Sequence, residues 1–336
     1  MTGAVVGGRA AAPFLEDVDR HMLELLATRS GPVVDAARAP IAAGGKRLRP
    51  LLVLAARPAA LDTDEPGSTA FDACAIRAAA AVELVHTASL VHDDLLDDAA
   101  VRRGEPTVGA LRGRDSATAT GDLLFSLAFD TLVRCREHVD AARVQRAVRV
   151  LARASRTLAE GEALQARQLR DPHLAESAYL ARCEMKTGVL FEASLQLGAI
   201  LGDAALDDVD VLSRFGRTVG TAFQVADDVL DCGSPDEAAR LGKLPGADLR
   251  DGTITLPMLR CVEAVPELAT ELAAPIARDR VEPILEVLRS SGALDSSRAF
   301  AHLLRADAEA LLADLGDRYD VAALARVAAA SVERLS

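Results

Sequence analysis

The stretch AAAAVELVHTASLVHDDLLDD, residues 78–98, decides how this chain is read. It opens on four alanines and stays largely apolar to Val91. It then ends in Asp93-Asp94-Leu95-Leu96-Asp97. Alanine and leucine without glycine or proline make a helix, and the apolar content makes it a core helix. On that helix Asp93 and Asp97 are four residues apart, which puts them on one face about 6 Å from each other. Neighbouring carboxylates repel, so an ordinary helix surface gains nothing from the arrangement. A hard divalent cation reverses the balance. Mg²⁺ takes oxygen ligands and leaves several positions to water and to substrate phosphates.

The same pattern returns as Asp227-Asp228-Val229-Leu230-Asp231, preceded by Thr221-Ala-Phe-Gln-Val-Ala. Both copies follow core-like sequence, which disfavours the ordinary reading of a charge cluster as a solvated helix end. Two such motifs predict carboxylates that hold Mg²⁺ around a polyphosphate.

Working outward, the composition sets the class. The 336 residues are 50% hydrophobic but only 3% aromatic, with no Trp. That favours helix over sheet. Helical spacing from Phe14 to Leu26 starts a series of amphipathic helices at about 116–135, 141–168, 178–201, 212–230, 255–265, 278–290 and 295–315. Asp171-Pro172 marks a break and a helix start. Residues 102–106 and the glycine-rich 232–252 read as loops. Residues 1–13 are expected to be a flexible lead-in, and 14–336 one all-α domain. There is no Rossmann or P-loop glycine signature. No unbroken apolar run reaches about 18 residues, so no transmembrane anchor is expected.

A net charge of −12 argues against nucleic acid as partner. Five scattered cysteines without a CxxC pair fit reduced thiols in a cytoplasmic protein. His86 and His92 do not have zinc-site spacing. His92 reads as a packing residue, and His86 could donate to a phosphate. Gln224 and Phe223 have a plain helix-packing reading beside any functional one.

Basic residues are sparse but placed. Gly44-Gly45-Lys46-Arg47-Leu48-Arg49-Pro50 puts three cations behind two glycines. Arg102-Arg103-Gly104 follows the first acidic motif, and Lys186-Thr187-Gly188 and Lys243 lie further on. Arginine suits bidentate phosphate contacts, and lysine acts as a point charge.

At this point the chain resembles the trans-polyprenyl diphosphate synthases. GGKRLRP, HTASLVHDDLLDDAAVRRG, KTG, FQVADDVLD and GKLPGADLRDGTITLP stand in that family's order, from about Gly44 to Pro257. The resemblance implies an all-α isoprenoid-synthase fold, with ten or more helices around a central cavity in a homodimer. It implies Mg²⁺, three ions per site with substrate bound, on Asp93, Asp97 and Asp227. Asp94, Asp228 and Asp231 would be further ligands or their supports. By motif position, Lys46, Arg49, His86 and Arg103 would bind isopentenyl diphosphate. Arg102, Lys186, Thr187, Gln224 and Lys243 would bind an allylic diphosphate. Thr253 departs from a lysine frequent in short-chain members.

Product length is argued on the helix before Asp93. Ala88 and Ser89 stand where short-chain members place aromatics, with Val85, Leu84 and Ala81 further along the stripe. No bulky stopper is present there, which predicts a product of C30 or longer, unless Phe125 and Phe129 form a floor. The plain alternative is that these alanines only permit close helix packing. A shorter farnesyl or geranylgeranyl diphosphate synthase, a class I terpene cyclase and a non-catalytic synthase subunit are the competing readings. A cyclase needs no isopentenyl site, and a non-catalytic subunit would lose motifs that this chain keeps. A long lipid product would bring transient membrane contact at release.

Overall fold

The structure, a computed structural model, describes residues 5–6, 9–61, 66–102, 104–234 and 245–333. The described chain is helical almost throughout. In order come α1 (Ala11–Ala27), α2 (Pro32–Ala42), α3 (Leu48–Ala55), α4 (Pro66–Leu96), α5 (Val108–Arg112) and α6 (Arg114–Val133). Then follow α7 (Ala141–Arg167), α8 (Glu176–Cys183), α9 (Val189–Leu201) and α10 (Leu206–Asp231). The remaining longer helices are Ala247–Asp251, Leu256–Ala264, Leu268–Leu272, Val281–Ser290, Ala293–Leu311 and Val321–Val332. Two antiparallel ribbons of two-residue strands, Val5–Val6 with Arg9–Ala10 and Val101–Arg102 with Glu105–Pro106, are the only strands among the described residues.

Several elements differ from the sequence reading, each for a local reason. The second ribbon replaces the loop expected at 102–106, closed by Gly104 at φ +84. Helix α1 starts at Ala11 inside the expected lead-in, because Ala11 and Phe14 are already core residues. Helix α8 starts at Glu176 rather than at Asp171-Pro172, where the chain only turns. Between α8 and α9 the helix widens into a π turn over Glu184–Gly188. Such turns often mark functional positions.

Cα proximity groups the chain into two compact units. The first comprises Met1–Ser155, Leu190–Ser213 and Asp314–Leu324. Its centre is α4, whose Leu84, Val85, Ala88 and Val91 are buried. Fully burying a leucine or valine contributes about 1.5–3 kcal/mol. Small residues let neighbours come close. A Cβ at Gly198 of α9 would sit 2.2 Å from the Val53 carbonyl oxygen of α3, and one at Gly121 of α6 would sit 2.1 Å from the His92 ring. Thr69–Leu96 is long and apolar enough to cross a membrane, although no unbroken run in the sequence suggested it. Most of its apolar stretch is buried inside the protein, as a core helix should be.

The second unit comprises Arg156–Val189, Arg214–Ala313 and Ala325–Ser336. Its core joins Tyr179 and Cys183 of α8 to Val225, Ala226 and Val229 of α10. Leu249, Ile254, Met258, Leu285 and Leu288 complete it. The second acidic motif closes α10 against this core.

Candidate active site

The first acidic motif sits where α4 stops. Asp98 takes the left-handed conformation (φ +47), and the Ala99 amide reaches back to the Asp94 carbonyl at 2.9 Å. This six-to-one bond ends the helix. The Asp97 amide still bonds the Asp93 carbonyl at 2.9 Å, so the i, i+4 relation survives the helix end. Asp93 is half-buried, Asp97 is exposed and Asp94 is buried. Arg102 Nε donates to Asp94 Oδ1 at 2.6 Å from the neighbouring ribbon. Burial raises the Asp94 carboxyl above its usual range, and Arg102 offsets part of that rise.

The GGKRLRP segment divides into two roles. Arg47, left-handed at φ +48, is buried and pairs with Glu83 of α4 at 2.7 Å. It also donates to the Ile41 carbonyl at 3.0 Å. It is therefore a clasp of α3 on α4. Arg49 lies over the Phe191 ring at 5.2 Å, with its Nε buried and without a hydrogen-bond partner. Burial lowers it to about 10, with Glu83 acting in the opposite direction. A desolvated guanidinium of this kind is suited to an anionic ligand. Lys46 is exposed beside it in sequence, and His86 is half-buried on α4. His92 packs against Phe125 with ring centroids 5.9 Å apart, the packing role expected of it. Arg103 and Lys243 lie outside the described residues.

In the second unit the structure gathers Thr187, Gln224 and Asp228 into one network and holds the adjacent Lys186 by a separate pair of contacts. Thr187 Oγ1 donates to Gln224 Oε1 at 2.6 Å, and Gln224 Nε2 donates to Asp228 Oδ1 at 2.7 Å. Asp228 Oδ2 accepts from the hydroxyl of the fully buried Tyr179 at 2.7 Å. Lys186 Nζ pairs with Glu162 at 2.7 Å and donates to Gln165 at 2.8 Å, both on α7. The π turn brings Lys186 and Thr187 onto these partners. Gly161 permits the approach, since a Cβ there would lie 2.9 Å from Met185 Cβ. Asp231 accepts the Ala247 and Asp248 amides at 3.1 and 3.0 Å, which caps the short helix Ala247–Asp251.

Burial disfavours the charged forms of the carboxyls here. Burial raises Asp228 to about 7 against the pull of Tyr179 and Gln224, and Asp227 adds repulsion. Burial also holds Asp248 well above the carboxylate range, with Asp231, Asp228, Asp227 and Asp251 adding to the shift. Among the described residues no three ligating side chains form a ready-made metal cage. The oxygen donors of these carboxyls are of the kind that a hard cation takes one or two at a time, filling its remaining positions with phosphate and water.

Comparison with known proteins gives the family. The family model for polyprenyl synthetase matches residues 32–289. The chain belongs to the polyprenyl synthetase family. The geranylgeranyl diphosphate synthase of Methanosarcina mazei is 36% identical over 83% of this chain and 82% of its own length. The nonaprenyl diphosphate synthase of Mycobacterium tuberculosis is 35% identical over 84% of this chain and 82% of its own. A crystal structure of a Caulobacter crescentus polyprenyl synthase with calcium and isoprenyl diphosphate superposes with a TM-score of 0.85. It is 33% identical and covers 100% of this chain and 99% of that one. This polyprenyl synthetase is thus a prenyltransferase with an all-α fold.

The positions expected from the sequence to bear on product length lie on buried α4. Ala81, Leu84, Val85 and Ala88 are fully buried, and Ser89 nearly so, its hydroxyl donating to the His86 carbonyl at 2.8 Å. Phe125 and Phe129 are half-buried on α6. Sequence reasoning missed Tyr179, Glu162, Gln165 and Asp248. Asp248 is the first of two aspartates in the GKLPGADLRDGTITLP motif. The other three carry no local signal.

Proposed function

We propose that this synthetase condenses isopentenyl diphosphate head-to-tail with an allylic diphosphate, giving a trans-polyprenyl diphosphate of C30 or longer and pyrophosphate. One observation carries the metal part of the reading. Burial pushes Asp228 to about 7 and Asp248 far above its usual range, with Asp227 adding repulsion at Asp228, and Asp231, Asp228, Asp227 and Asp251 adding it at Asp248. A bound cation would favour the charged form of these carboxyls, and their oxygen donors suit a hard one.

In this reading Asp93 and Asp97 on one motif and Asp227 on the other would hold Mg²⁺, with Asp94, Asp228 and Asp231 fixing or extending the set. Bound Mg²⁺ would supply neutralisation of the charge that grows on the departing diphosphate. Lys186 and Thr187, set by the π turn, would hold the allylic diphosphate with Gln224, Arg102 and Lys243. Arg49, with Lys46, His86 and Arg103, would hold isopentenyl diphosphate. The allylic C–O bond then ionises and the isopentenyl double bond attacks the allylic C1. The proton lost from the adduct goes to the released pyrophosphate. No protein nucleophile takes part, and the apolar face of α4 would keep water from the cation.

The length reading is supported by the small or slender buried side chains at Ala81, Ala88 and Ser89. The relatives include a geranylgeranyl and a nonaprenyl diphosphate synthase, so both shorter and longer products occur among them. Asp93→Ala and Asp227→Ala, assayed for pyrophosphate release across a Mg²⁺ titration, test the assignment. Each should nearly abolish turnover with helical content unchanged. Full activity in either variant would remove that aspartate from the metal set.

A further inference from the structure

Arg170 has no role in the site as read so far, and its setting is unusual. It stands in the turn after α7 with φ +57, a left-handed conformation that favours asparagine or glycine over arginine. Its amide donates to the Gly252 carbonyl at 2.8 Å. Its side chain lies over the Gly252 α-carbon, so that a Cβ there would meet Nη1 at 2.1 Å and Cζ at 2.6 Å. Gly252 itself is at φ +80. Arg170 Nη1 is buried and has no hydrogen-bond partner among the described residues. A guanidinium N–H withdrawn from water without an acceptor costs free energy, which a bound anion would recover.

The surroundings say which anion. Gly252 ends the short helix whose first amides are held by Asp231, so Arg170 reaches the chain one five-residue helix away from the second acidic motif. Arg182 contacts the same segment, donating to the Ile254 carbonyl and to Gln168 Oε1. Its charge is felt by Asp228. Lys186 is already compensated by Glu162 at 2.7 Å. Residue 253, between the two arginine contacts, is a threonine.

We propose that Arg170 is a diphosphate-binding residue of the second-motif site, supplying beside Thr253 a cation that residue 253 does not carry. The ligand is the diphosphate end of the allylic substrate, so the proposal rests on the reading of that site given above.

Arg170→Asn separates this role from a structural one. Asparagine keeps the amide bond to Gly252 and suits the left-handed backbone better. The melting temperature should stay or rise, while KM for the allylic diphosphate rises about tenfold and KM for isopentenyl diphosphate stays within about twofold. Adding Thr253→Lys to that variant should recover most of the loss. A lower melting temperature with unchanged KM would make Arg170 a clasp and overturn the proposal, as would no change in either. A double variant no better than the single one would also refute the assignment to this segment. Asp227→Ala, run alongside, tells the two failures apart. If it is inactive while Arg170→Asn is silent, only the role of Arg170 falls. If it is fully active, the site reading falls too.

Discussion

Gly161→Ala should loosen Lys186 without unfolding the protein. The new Cβ would lie 2.9 Å from Met185 Cβ, 3.1 Å from Lys186 Cγ and 3.2 Å from the Met185 carbonyl carbon. Carbon atoms settle at about 3.5–4.0 Å, so α7 and the π turn must part by roughly 0.6 Å. Alanine gains about 1 kcal/mol over glycine in a helix interior, whereas overpacking costs about 1–3 kcal/mol. The net loss is about 1 kcal/mol, a small shift in a urea midpoint. Function is more sensitive. Lys186 holds Glu162 and Gln165 at 2.7 and 2.8 Å, and the same opening strains both contacts. A misplaced charge-assisted contact costs about 1.5–3 kcal/mol, roughly tenfold to a hundredfold in KM for the allylic diphosphate. Steady-state kinetics with each substrate varied in turn reads this, with exposed Glu160→Ala as control. A Gly161→Ala enzyme with wild-type KM and kcat would refute the reasoning.

Other expectations follow from neighbouring contacts. Tyr179→Phe removes the donor to Asp228 Oδ2. It should raise KM for the allylic diphosphate more than that for isopentenyl diphosphate, whereas equal effects on both would mean a general packing role. Ala88→Phe should shorten the product as read by mass analysis, and an unchanged length at retained helicity would remove Ala88 from the path of the growing chain. In metal-free protein Asp228 rises from 3.8 to about 7 on folding. The folded form then keeps its proton between about pH 4 and 7 while the unfolded form loses it. Stability therefore falls as pH rises through that window, by at most about 1.4 kcal/mol per unit. Asp228→Asn should cancel this slope in melting temperatures measured with chelator, and a parallel offset at every pH would contradict the assigned burial.

What could be read from the sequence was whatever repeats locally. Residues 78–98 gave the core helix and the position of Asp93 and Asp97, because helical period and composition are both local. The end of α4 was set one residue beyond the motif by Asp98, whose left-handed backbone no pattern announces. The π turn at Glu184–Gly188 was invisible for a related reason, since α8, the turn and α9 read as one helix. Tyr179 meets Asp228 only through the packing of α8 on α10, and Glu162 meets Lys186 only because Gly161 lets α7 approach. Arg47 and Arg49 stand two residues apart in one basic motif. The structure makes Arg47 a buried partner of Glu83 and leaves Arg49 over Phe191, a division that depends on tertiary neighbours.

Mass analysis of the products formed from isopentenyl diphosphate and farnesyl diphosphate, with Mg²⁺ and with chelator, tests the central claim most directly. The account predicts polyprenyl diphosphates of C30 or longer with equivalent pyrophosphate when Mg²⁺ is present, and none with chelator. Absence of any condensation product with Mg²⁺, or undiminished condensation under chelator, would contradict it.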